Sequence, residues 1–194
     1  MVKIAKTAAY LPCLILATHT CAAPAATSSD YLSNALNATN VVNNKWYDPS
    51  TGLWQGLWWN SGNIIATLAD IATLDSSQSS STSRFFANTL QNAAGGGGTG
   101  AAGFINDFYD DEGWWALGWI AAYDVTQQSQ YLQAAIDIFS DMTTGWNATC
   151  GGLWWKKDHS ANTAIANELF LSVAAHLANR IPGQKSYYLD WAKA

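Results

Sequence analysis

Charge is what this sequence has least of. Asp, Glu, Lys and Arg make up only 12% of its 194 residues, about half the 25% usual in soluble domains, so Ser, Thr, Asn, Gln and Gly must cover most of the surface. The nine Lys and Arg residues form no cluster able to neutralise a phosphate backbone, which excludes a nucleic-acid partner. Histidine is equally scarce. His19, His159 and His176 are too few and too scattered for a zinc site or a serine triad. The Gly95 to Gly100 tract lacks the Lys-Ser/Thr of a phosphate-binding loop and follows no strand. No run alternates apolar and polar residues over a useful length, and only four prolines interrupt the chain, so sheet is not expected. Tryptophan is abundant instead, with 11 Trp beside 8 Tyr and 6 Phe.

Residues 1–22 stand apart. Lys3 and Lys6 precede a nearly all-apolar stretch from Thr7 to Ala17, and Cys21, Ala22, Ala23 and Ala25 supply small residues for cleavage. That order defines a secretory signal peptide, and its apolar stretch is too short to span a bilayer. The expected mature chain, residues 23–194, carries a formal charge of about −7 once Lys3 and Lys6 are removed. Cys13 and Cys21 lie in or beside the signal, leaving Cys150 either as a buried small hydrophobe or as half of a pair whose partner is elsewhere. Asn37-Ala-Thr39 and Asn147-Ala-Thr149 are N-glycosylation acceptors, consistent with an extracellular destination.

The rest of the chain reads as helices. Asp30 is placed to cap a first helix with Leu32, Ala35, Leu36 and Thr39 on one face, ending near Asn43 to Lys45. Apolar spacing predicts a second from Gly62 to Leu74, a polar loop from Ser76 to Ser83, and a short third helix around Phe85, Phe86 and Leu90. Further helices follow over Trp114 to Val125, Tyr131 to Met142 and Ala164 to Asn179, with a seventh starting at Ser186. The fold class is therefore all-α. A repeat runs through it: Gly56-Leu57-Trp58-Trp59, Gly113-Trp114-Trp115 and Gly152-Leu153-Trp154-Trp155 each stand at or before every second helix. In a ring of antiparallel helix pairs those three corners share one rim, along with Asn60, Asn63, Asp110, Asp111 and Lys156.

The densest polar cluster is Asn106-Asp107-Phe108-Tyr109-Asp110-Asp111-Glu112, just ahead of the predicted fourth helix. Four carboxylates so close repel one another unless they meet a helix N-terminus, bind a cation or share protons. Three readings are open. One aspartate could simply cap the helix, with Glu112 favouring the dipole. Calcium could be bound, although the alternating Asp spacing and glycine of an EF-hand are absent. Or two carboxyl groups, one ionised and one protonated, could act on a glycosidic bond, with Trp and Tyr rings as the apolar wall that separates their pKa values and as platforms for sugar faces.

Phe108-Tyr109-Asp110-Asp111-Glu112-Gly113-Trp114-Trp115-Ala116-Leu117-Gly118-Trp119, followed by Ala122-Tyr123-Asp124-Val125-Thr126, resembles the secreted α-1,6-mannanases of glycoside hydrolase family 76. Matches extend from Trp46-Tyr47 to Asp70 and over Asn167-Glu168-Leu169-Phe170 with Ala174 to Arg180. The resemblance implies an (α/α)6 barrel and endo-hydrolysis of the α-1,6-linked mannose backbone of cell-wall mannan by a retaining mechanism. Asp110 would be the nucleophile and Asp111 the general acid/base, with no cofactor and no metal. Trp59, Asn63, Trp115 and Trp155 become candidates for sugar contact. Fungal relatives include wall-anchored proteins thought to act as transglycosidases on glycolipid anchors, so a transglycosidase and association with a cell wall or membrane also fall within its implications. A non-catalytic or vestigial mannan-binding fragment is the alternative from another class. Thr163 stands where the family usually has Asn. The predicted helices fill little more than half of a six-pair ring, so the expectation is a toroid truncated to about its first seven helices.

Overall fold

The computed structural model describes residues 27–95 and 102–194. The predicted signal peptide with Cys13 and Cys21, and all of the glycine tract but Gly95, lie outside the described residues.

Seven α-helices dominate: α1 (Ser28–Trp46), α2 (Trp58–Leu74), α3 (Ser79–Asn92), α4 (Tyr109–Thr126), α5 (Ser129–Thr144), α6 (Ala164–Arg180) and α7 (Lys185–Lys193). Between α1 and α2 a hairpin of two-residue strands, β1 (Tyr47–Asp48) and β2 (Leu53–Trp54), pairs antiparallel with Tyr47 opposite Trp54. The all-α class holds. Its starting points differ from expectation, however, at four helices. Thr27, rather than Asp30, caps α1, and Asp30 reaches back to the Thr27 N–H to complete a capping box. Helices α2 and α4 begin at Trp58 and Tyr109, several residues before the predicted Gly62 and Trp114. The expected loop from Ser76 to Ser83 is a 3-10 turn (Ser76–Gln78) running into α3.

Helices α2, α4 and α6 form an inner row, with the most extensive packing between α2 and α4 and a substantial contact from α4 to α6. Their sequences account for this. A helix amphipathic on one stripe can cover only one neighbour, whereas α4 buries Tyr109, Gly113, Trp115, Ala116, Gly118, Trp119, Ile120 and Ala122 over more than half of its circumference. Glycine sets the spacing. A Cβ at Gly118 would lie 2.6 Å from the Gly62 carbonyl oxygen, and one at Gly113 would lie 2.8 Å from the Leu169 Cβ, so both helix pairs approach more closely than alanine permits. Contacts advance in step, Trp58 on Trp115 and then Gly62 on Gly118. Helices α2 and α4 therefore run parallel and start at the same end.

An aromatic column fills the core below that end. Trp58 packs on Trp115 at 5.6 Å, Trp115 stacks on Trp119 at 5.7 Å, and Trp119 lies nearly parallel to Tyr131 of α5 at 5.5 Å. Phe104 closes its side against both Trp115 and Trp119. Such pairs add about 0.5–1.5 kcal/mol each beyond the burial of their area.

Candidate active site

The acid pair lies inside α4, not ahead of it. Phe108 is the N-cap and makes no side-chain capping bond, so Asp110 and Asp111 occupy the first turn and neither is the cap. Carboxylates there face the positive end of the helix dipole and the unpaired first-turn N–H groups. The capping work falls to the approach segment. Oδ1 of Asn106 accepts the Phe108 N–H at 2.8 Å, its Nδ2 donates to Oδ2 of Asp111 at 2.8 Å, and its own N–H donates to Oε1 of Glu112 at 3.0 Å.

Asp110 is held from the other side. The segment between α5 and α6 folds back across the start of α4, pairing Lys156 with Phe108 and accepting the Tyr109 N–H on the Trp155 carbonyl at 3.0 Å. This brings the Trp155 indole N–H to Oδ2 of Asp110 at 3.0 Å, while Oδ1 of Asp110 accepts the N–H of Asp111 at 3.1 Å. Phe108 packs on the Trp155 ring at 5.0 Å. The two neighbouring carboxyl groups thus sit in different surroundings. Half-burial raises the pKa of Asp111, Asp110 beside it adds to the effect, and the Asn106 amide opposes it.

Directly behind them is a charged cluster that sequence spacing did not reveal. Glu112 is fully buried. Its Oε1 lies 2.9 Å from Nζ of Lys157, which also reaches Oδ2 of Asp141 on α5 at 2.7 Å. Burial, reinforced by Asp141 and only partly offset by Lys157, pushes the Glu112 carboxyl up to about 9. Its Oε2 has no hydrogen-bond partner among the described residues. Glu112 was readable as part of the acidic run, but Lys157 and Asp141 come from 45 and 29 residues further along the chain, and no local signal ties them to it.

The aromatic candidates divide. Trp59 is 40% exposed and stacks on Trp114 at 6.3 Å, forming a two-ring surface at the shared end of α2 and α4. Asn63, half-buried, follows Trp59 by one turn on the same helix face. Trp155 is half-buried and bonded to Asp110 as described. Trp115 requires correction: with no exposed surface it belongs to the core column and cannot meet a sugar, whereas Trp114, about 100° away around the helix, is part-exposed. The third Trp pair also does not open a helix, since α6 starts only at Ala164. It reaches the rim through the fold-back of its loop.

Asn37 on α1 and Asn147, at φ +77°, are both exposed. Cys150 is exposed too and is free among the described residues, so the buried reading of its side chain does not hold. Among the described residues no group of three or more His, Cys, Asp or Glu could hold a metal ion, and no helix is long and apolar enough to cross a membrane.

Parallel inner helices that gather consecutive carboxylates and indoles at one end have the build of the all-α toroid glycoside hydrolases. The chain belongs to glycosyl hydrolase family 76, whose model matches residues 21–194. Among solved structures it is similar to the alpha-1,6-mannanase of Salegentibacter sp. HEL1_6, at 24% identity and a TM-score of 0.72, covering 84% of this chain and 49% of that one. An inactive variant of that enzyme, with two consecutive aspartates changed to asparagine and alpha-1,6-mannotriose bound, matches at 22% identity and a TM-score of 0.69 over the same shares. The family 76 mannosidase of Bacteroides thetaiotaomicron matches at 18% identity and a TM-score of 0.65, covering 83% of this chain and 51% of that one. The chain thus spans about half the length of these solved structures. A comparison with curated proteins finds no match.

Proposed function

We propose that this chain carries the catalytic carboxylates of an endo-acting, retaining α-1,6-mannanase, with Asp110 as nucleophile and Asp111 as general acid/base. The observation that carries the reading is the unequal treatment of two adjacent carboxyl groups. Asp110 accepts N–H donors on both oxygens, whereas Asp111 accepts on one and its half-burial raises its pKa. A retaining glycosidase needs that division of labour: one carboxylate attacks the anomeric carbon while the other protonates the departing oxygen and later activates water, across about 5 Å. The Trp59 and Trp114 rings supply an apolar platform suited to sugar faces. Support for mannan as substrate comes from family membership and from the Salegentibacter enzyme, which binds alpha-1,6-mannotriose as a variant lacking two consecutive aspartates. Secretion belongs to the same proposal and rests on the N-terminal sequence pattern alone.

The test is release of reducing ends from linear α-1,6-mannan by the 194-residue chain, beside Asp110→Asn and Asp111→Asn. Either substitution should lower the rate by roughly a thousandfold or more. Mannan binding that survives both changes, with no cleavage by the unaltered chain, would replace catalysis with a binding role. Lengthened rather than shortened oligosaccharides would replace hydrolysis with transfer.

A further inference from the structure

We propose that Asn106 is a positioning residue that commits Oδ2 of Asp111 to accepting a hydrogen bond and leaves Oδ1 as the oxygen that carries the transferable proton. This rests on Asp111 being the general acid/base. An asparagine amide can ordinarily present either end, but here one end is dictated. Oδ1 of Asn106 faces the Phe108 N–H at 2.8 Å, and an N–H can only donate, so the amide nitrogen must be the end turned toward Asp111. That nitrogen has no lone pair to offer. A proton on Oδ2 of Asp111 would therefore oppose a donor with a donor, and the acid form must place it on Oδ1. Among the described residues Oδ1 of Asp111 receives no hydrogen bond, whereas both oxygens of Asp110 do. One carboxyl of the pair thus has an oxygen free to hand over a proton.

The main chain of Asn106 is fixed as firmly as its side chain. Its N–H is bound by Glu112, which is clamped by Lys157, which is held in turn by Asp141 of α5. Asn106 itself is 7% exposed. The charged and titratable groups that the surrounding segments bring to this end are Asp107 from the approach, Tyr109, Asp110 and Glu112 from α4, Asp141 from α5, and Lys156, Lys157 and Asp158 from the fold-back loop. The first turns of α2 add only the neutral Trp58, Trp59, Asn60 and Asn63.

The experiment is a carbon-detected NMR titration of the Asp111 carboxyl in the full chain, without sugar, repeated in Asn106→Ala and Asn106→Asp. Loss of the amide donor should raise the Asp111 midpoint by about one pH unit in Asn106→Ala. The rise should be larger in Asn106→Asp, which keeps an acceptor for the Phe108 N–H but sets another carboxyl against Asp111. The alkaline limb of mannan cleavage should move with it. In the unaltered chain the Asn106 side-chain amide protons should shift with the Asp111 midpoint. An unmoved midpoint in either folded variant, or amide protons that ignore the Asp111 titration, would overturn the assignment. A shifted midpoint in a chain that cleaves no mannan would uphold Asn106 as the donor to Oδ2 of Asp111 and remove the proposed function. An unmoved midpoint with cleavage that still requires both aspartates would do the reverse.

Discussion

Helices α1 and α4 are almost the same length, 19 and 18 residues, yet the first has no buried residue and the second has nine. Helix α1 is closed by its own side chains at both ends, with a complete capping box at the first turn and Lys45 in the last. Helix α4 has no capping side chain at its N-cap and two glycines in its interior. Local propensity therefore accounts for α1, and packing accounts for α4. The candidate chemistry is on the second kind, where the side chains that hold each carboxyl are themselves held by the core.

That contrast can be pressed from its strong end to its weak one. Trp115→Ala removes the centre of the aromatic column and should cost about 3–5 kcal/mol, read as a fall in the urea midpoint of the whole domain. A loss below about 1 kcal/mol would mean that α4 does not organise the core. Glu112→Gln should act less strongly and in a pH-dependent way. The folded state holds on to a proton that the unfolded chain releases above its ordinary value of 4.5, so stability should fall as pH rises from 4.5 toward about 9. Glutamine imitates the protonated acid and should flatten that slope, as thermal melts across the range would record. An unchanged slope would place the retained proton elsewhere. Thr27→Ala breaks the capping box, a change worth about 1 kcal/mol to a helix. Because α1 is little covered, the global midpoint should move by less than about 0.5 kcal/mol while amide exchange in its first turn quickens. An equal response in both measurements would erase the distinction between the two helices.

Much of the architecture was legible before any coordinates. The 3.6-residue spacing in α5 and α6 located both helices to within about two residues, since Leu132, Ala135, Ile136 and Phe139, or Leu169, Val173 and Leu177, leave no other economical reading. Helix starts were less visible because the N-caps Leu57 and Phe108 use no side chain to cap. The serine-rich start of α3 reads as loop by propensity. In the fold its hydroxyls bond back to carbonyls, as Thr82 does to Gln78 and Ser83 to Ser79, while Phe85 and Phe86 anchor the helix to the core. At the site, the acidic run and its aromatic neighbours stood out. Apolar residues lie on so many sides of α4 that spacing alone does not tell whether Trp114 or Trp115 faces the core, although the two point about 100° apart. The contacts of Asn106, Glu112, Lys157 and Asp141 depend on tertiary structure, which no local pattern encodes.

The glycine contact between α2 and α4 bears on how this sequence can drift. Trp58 and Gly62 on one helix, and Asp110, Trp114 and Gly118 on the other, are fixed by separation as well as identity. Inserting or deleting one residue between Asp110 and Gly118 would swing the acid pair about 100° around the helix axis or, if the pair stayed in place, would drive a side chain into the Gly62 carbonyl. A substitution at a part-exposed position of this interval, such as Leu117, leaves the phase of the helix unchanged. A change of length changes the phase of the whole turn, so related chains should show no gaps here, with insertions gathered instead in the segments that join the helices.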